Sequence, residues 1–274
     1  MRNKHSFWFV VIFVLIAMLA AFPFSVSANH SWGKYHWART SNPFTLKVGD
    51  NVNSAWDSYL NEAISDWNNP IGGFPTVLQL TKVAGSTSGS TCAPTQGRIE
   101  ACNAAYGTTG WLGVAQIWIT RGSHIAQATT KVNDTYFNMA QYNTPAWRRL
   151  VMCQEIAHDF GLDHQDEGFG APNLGTCMDY TNDPDGGGAY GPSNEHPDQH
   201  DFEQLASIYK HLDRFTTVGT SLPADAPAGF ANADVHAQEN WGEKVRDSAD
   251  GRSSLYVHDF GNGNKVFTFV FWAE

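Results

Sequence analysis

The stretch "CQEIAHDFGLDHQDE", residues 153–167, holds the side chains best placed to do chemistry. Gln154 and His158 are four apart, so on a helix they project from one face. Glu155 lies beside them and can face the same cavity. Gly161 suits a helix end, because glycine adopts the left-handed conformation that such ends require. The chain can then turn back and bring His164 in from the far side. Two ligands from a helix and one after a glycine turn make a three-ligand metal site. It leaves one position open for water, as catalytic zinc requires. Gln154, His158 and His164 are the expected ligands of Zn2+. Glu155 would take a proton from the water and pass it to a leaving amine. A lone glutamate with a histidine three residues on usually means a solvated helix face. The glycine and second histidine at this spacing lift the pattern above that background.

The elements that position these residues follow from periodicity. "NTPAWRRLVMCQEIAHDFG" predicts a helix capped by Thr144, with Pro145 in its first turn and Met152, Ile156 and Phe160 as a packing stripe. "NSAWDSYLNEAISDWNN" predicts an amphipathic helix that Asn53 or Ser54 would cap. "DQHDFEQLASIYKHL" predicts a third, with Phe202, Leu205, Ile208, Tyr209 and Leu212 on its apolar side. "NPFTLKVGD" and "TVLQLTKV" alternate as half-buried strands, and "GVAQIWIT" and "HIAQATTKV" read as two more. "CAPTQGRIEAC" reads as a polar loop. The glycine-rich run 168–197 is long for a loop inside a domain, which points to function or disorder. Its "NDPDGGG" lacks the full spacing of a calcium loop and reads as plain loop. "SLYVHDFGNGNKVFTFVFWA" is two apolar runs around a glycine turn, a hairpin signal. The second run is so apolar that it has to pack on something.

The fold class expected is α/β (α+β), a mixed twisted sheet with helices over residues 29–216. Residues 217–234 are rich in Pro, Ala, Gly and Ser and read as a linker. Residues 235–274 read as a C-terminal β-hairpin extension. Residues 1–28 combine Arg2 and Lys4, an apolar run, Pro23 and small residues before Asn29, the pattern of a secretory signal peptide. An uncleaved membrane anchor is the competing reading. Of 17 basic residues, removing Arg2 and Lys4 leaves 15 against 27 acidic ones, a formal charge of −12. That argues against nucleic acid or anionic membrane as a partner. Four cysteines in an exported chain imply two disulfides, and three pairings are open. Cys92–Cys102 and Cys153–Cys177 are the expected pair. Asn29 and Asn133 begin glycosylation sequons.

The helix segment resembles the metzincin zinc-binding motif, H-E-x-x-H-x-x-G-x-x-H, with Gln154 in place of the first histidine. "GTCMDYTND" resembles the Met-turn of that family, which makes Met178 the methionine beneath the metal. Tyr180, two residues on, matches the tyrosine that astacin-like and serralysin-like members use to stabilise the transition state. The order of elements over roughly 37–213 is similar too, ending in a C-terminal helix. By this resemblance "GVAQIWI" corresponds to the edge strand that pairs with extended substrate. It implies a secreted, monomeric zinc metalloendopeptidase acting on peptide or protein substrates, with Glu155 and Tyr180 catalytic. Its latency would have to lie outside an N-terminal propeptide, for which there is no room before the first strand. A second reading, prompted by Gln154, is a catalytically inactive binding protein on the same scaffold.

Overall fold

Strand β2 (Phe44–Asn51) buries Phe44, Leu46 and Val48 and exposes Thr45 and Lys47, as its alternation requires. The computed structural model describes residues 30–233 and 237–274. The apolar N-terminal run and the Asn29 sequon lie outside them. Among the described residues no helix is long and apolar enough to cross a membrane. The strands are β1 (His36–Trp37), β2, β3 (Leu78–Ala84), β4 (Ile99–Ala104), β5 (Trp111–Thr120), β6 (His124–Asn133), β7 (Glu243–Asp247), β8 (Ser253–Gly261) and β9 (Asn264–Trp272). They join in one mixed α/β sheet in the order β3-β2-β4-β6-β5-β9-β8-β7, with β1 beside β6. Strands β1, β2, β3, β4 and β6 pair in parallel, whereas β5, β7, β8 and β9 enter antiparallel pairs.

The helices are α1 (Asp57–Asn68), the single turn α2 (Asp134–Phe137), α3 (Pro145–His158) and α4 (Gln199–Ile208). Thr144 caps α3 by accepting the Trp147 N–H, with Pro145 next in the chain. Helix α1 starts later than its pattern suggested. Asn53 is spent on a preceding turn, where its side chain accepts the Ala55 N–H and its carbonyl the Trp56 N–H. Helix α4 opens with a capping box between Asp198 and Asp201. It ends at Ile208, which leaves Leu212 exposed rather than on a packed face.

Two features escaped periodicity. Strand β4 begins inside the stretch that read as a polar loop. Its Glu100 is buried, and Arg98, Asn51 and Ser86 bond its carboxylate. The linker-like segment is anchored, not free, over residues 217–233. Phe230 is buried against the sheet, its carbonyl accepts the Trp118 indole N–H at 2.9 Å, and Gln127 donates to Ala231.

Both disulfides form as Cys92–Cys102 and Cys153–Cys177. The second ties α3 to the loop holding Met178. Asn133 is buried and caps α2, while its amide donates to Gly107 and Thr109. In the folded chain that sequon is therefore closed to glycosylation.

Strand β5 does not lie at an edge. One side pairs with β6 and the other with β9, antiparallel, with Gly113 opposite Phe271, Ala115 opposite Phe269 and Ile117 opposite Phe267. All ten residues of β5 are buried. The β8–β9 hairpin thus extends the main sheet. Alternation along β9 turns Phe267, Phe269 and Phe271 into the larger core, and Val266 and Val270 into a second cluster with Trp111, Trp118, Phe230 and Trp241.

Candidate functional site

Helix α3 lies against β5 because Gly113 lets it. A Cβ there would meet Glu155 Oε1 at 2.5 Å and Val151 Cγ1 at 2.6 Å. Gln154, Glu155 and His158 occupy the last turns of α3, and all three are buried. After His158 the helix tightens and the chain reverses at Gly161, whose φ is +106° and where a Cβ would lie 2.6 Å from the Tyr35 carbonyl oxygen. Both the conformation and the space demand glycine.

That reversal orients the first imidazole. His158 Nδ1 lies 2.8 Å from the Leu162 carbonyl oxygen. A carbonyl only accepts, so Nδ1 holds the hydrogen and Nε2 keeps its lone pair. His164 is set the same way by Glu167, whose Oε1 is 3.0 Å from His164 Nδ1. The two rings meet edge to face with centroids 4.5 Å apart. Gln154 donates its amide N–H to the Cys177 carbonyl at 2.9 Å, so the disulfide-linked loop fixes the amide's orientation. Tyr180 packs edge to face on His164 with centroids 4.5 Å apart. Met178 is buried, and its carbonyl accepts the Gln165 N–H. The fold thus gathers Gln154, Glu155, His158, His164 and Tyr180 around one buried region. His196 and His200 are engaged elsewhere, with Asp66 and Glu203.

Three buried polar atoms here have no hydrogen-bond partner: Gln154 Oε1, Glu155 Oε2 and His164 Nε2. Buried polar groups are nearly always satisfied. The Gln154 and His164 atoms are bare lone pairs, and each side chain has already spent its N–H on the protein. A cation held between them and His158 Nε2 would satisfy both. Imidazole nitrogens are good donors to zinc, and an amide oxygen is a harder and weaker one.

The region is dry. Burial, reinforced by Asp159, pushes the Glu155 carboxyl well above its usual range, against one hydrogen bond from Ala115. Burial, then His164, drives His158 well below its usual range and favours the neutral ring. Burial raises the Tyr180 hydroxyl, so it stays a donor.

No protein family matches this chain, and no curated protein does so either.

Several contributors carry no motif. Asp163 and Glu167 lie close to His164, yet they are not free ligands. Arg246 of β7 grips both Asp163 oxygens at 2.7 and 2.5 Å and reaches Glu167 at 3.2 Å. Burial alone would raise the Asp163 carboxyl, but the Arg246 guanidinium holds it below the usual range. Phe269 stacks on His158, and Phe271 packs on Tyr180 with centroids 4.4 Å apart. Only the second apolar run of the tail hinted at these contacts, by requiring something to cover.

Proposed function

We propose that this chain is a secreted zinc-dependent metalloendopeptidase of metzincin-like build, held latent by its own C-terminal strand. The observation that carries the reading is the set of unpartnered buried acceptors on Gln154, Glu155 and His164 beside the lone pair of His158. The three side chains Gln154, His158 and His164 would hold the ion. Zinc bound there would supply an electrophile for a peptide carbonyl and lower the pKa of a water. Glu155 is the base that takes the proton and later delivers it to the leaving nitrogen. Tyr180, neutral and beside His164, is a donor for the carbonyl oxygen as it gains charge. Met178 and the Cys153–Cys177 bridge keep the loop under Gln154 in place.

Substrate would pair with β5 as an antiparallel strand, the mode by which extended peptides join sheet edges. Strand β9 now takes that place. Its phenylalanines fill the space over His158 and Tyr180, so peptide enters only after β9 leaves. Two disulfides and the signal-like N-terminus support work outside the cell.

The second reading is a non-catalytic binding protein on this scaffold, favoured by the same occupied groove and by Gln154 itself. One experiment separates the two. The full chain carrying Phe269→Ala and Phe271→Ala is loaded with zinc, cut between residues 224 and 229, and freed of its tail. The peptidase reading expects hydrolysis of a quenched fluorescent peptide, abolished by chelator. A tail-free protein that stays folded, retains zinc and binds peptide without cutting it establishes the binding protein instead.

A further inference from the structure

We infer that His36, His124, His211 and Asp213 form a second zinc site, separate from the region around Glu155. The four side chains come from three parts of the chain: β1, the start of β6 and the segment after α4. Their donor atoms converge. His36 Nε2 lies 3.1 Å from His211 Nε2 and 3.4 Å from Asp213 Oδ1. His124 Nε2 is 3.4 Å and His211 Nε2 3.9 Å from the same oxygen. Four donors at tetrahedral zinc, each about 2.0–2.1 Å from the ion, stand roughly 3.3 Å from one another. The donor atoms of His36, His124 and Asp213 already lie within 4.8 Å of one another. His211 adjoins the group through His36 and Asp213, from where a small movement of its half-exposed ring would bring it to the ion.

The groups behind the donors hold them as ligands are held. His36 Nδ1 lies 2.7 Å from the Lys34 carbonyl oxygen, which puts the hydrogen on Nδ1 and leaves Nε2 bare. That bare lone pair faces a carboxylate oxygen. The contact is repulsive unless a cation or an added proton lies between them. Asp213 spends Oδ2 on Arg39, from the guanidinium at 3.0 Å and the backbone N–H at 3.2 Å. Oδ1 faces the imidazoles, and Oδ2 also lies 3.3 Å from His36 Nε2. Arg39 also donates to the Tyr209 and His211 carbonyls, so one guanidinium fixes the segment that brings in two of the four residues.

Three imidazoles and one carboxylate select zinc over calcium or magnesium, which want six or more oxygens. The cluster borders a cavity of about 430 Å³, which gives an ion a route in. Four protein ligands close the coordination shell, so the role is structural. The site would fasten the 30–37 segment to the rest of the domain. That segment packs against the other region, with the Tyr35 carbonyl against Gly161 and Trp32 against Phe269.

The test uses the full chain equilibrated with excess zinc and then freed of loose metal. Anomalous diffraction at the zinc edge is expected to place a peak within bonding distance of His36, His124 and His211 Nε2. Its position tells it apart from any ion near Gln154. His211 is half exposed, so His211→Ala should fold; it is expected to lose one zinc per chain by elemental analysis and the part of its thermal stability that depends on that ion. Asp213→Asn gives a second reading of the same loss. No peak at the cluster, or unchanged zinc content in both variants, would overturn the inference and leave a protonated hydrogen-bond network in its place.

Discussion

Phe269 stacks face to face on the imidazole of His158, with centroids 4.2 Å apart and planes 11° from parallel. The pair joins the last helical ligand candidate to the last strand of the chain. Phe269 lies opposite Ala115 of β5, and Gly113 of the same strand lies against Glu155. One strand therefore borders the base and carries the segment that covers it.

The first prediction concerns how firmly that segment is held. Val266, Phe267, Phe269, Val270 and Phe271 are all buried. At roughly 2 kcal/mol each they contribute on the order of 10 kcal/mol before ordering entropy is subtracted. A wild-type chain cut near Ala224–Ala228 should elute from a sizing column as one species. Elution of two separate pieces without denaturant would show that β9 is loosely held and does not close the groove.

The second concerns Glu155. Burial favours the uncharged form of its carboxyl, so Glu155→Gln should disturb the closed state little. Thermal and urea unfolding should show stability unchanged or slightly raised, with zinc content preserved. Tail-free protein carrying the substitution should lose peptide hydrolysis altogether. Cleavage at the unsubstituted rate would assign the base elsewhere.

The third concerns the bridge between Cys153 and Cys177. It closes a loop of 24 residues in sequence separation, a constraint worth about 3 kcal/mol. Replacing both cysteines with serine should lower the urea midpoint accordingly. It should also weaken zinc binding, because the Cys177 carbonyl orients Gln154. A double variant with wild-type stability and zinc affinity would remove the bridge from the account.

Helix α3, its Thr144 cap and the Gly161 reversal were legible because each rests on local chemistry within a few residues. Strand β4 was not, since its side chains are polar and small and its burial depends on β2 and β6. The linker-like composition around Phe230 hid one aromatic side chain that decides where the segment lies. At the candidate site the sequence pattern marked the helix residues and His164. It was silent on Glu167, Arg246 and Phe269, which reach the site through contacts far apart in the chain. The cluster of His36, His124, His211 and Asp213 was hidden for the same reason. Its residues span 177 positions and share no motif.

The central claim is that a glutamine completes the zinc set at His158 and His164, and zinc affinity measured by chelator competition tests it most directly. Every form would carry His211→Ala, so that one site is read. An amide oxygen is a weaker zinc donor than imidazole. Gln154→His should therefore tighten binding at least tenfold, about 1.4 kcal/mol, and Gln154→Ala should bind at least tenfold more weakly than Gln154. Equal affinity for Gln154 and Gln154→Ala, or no zinc bound by any of the three, would contradict the account.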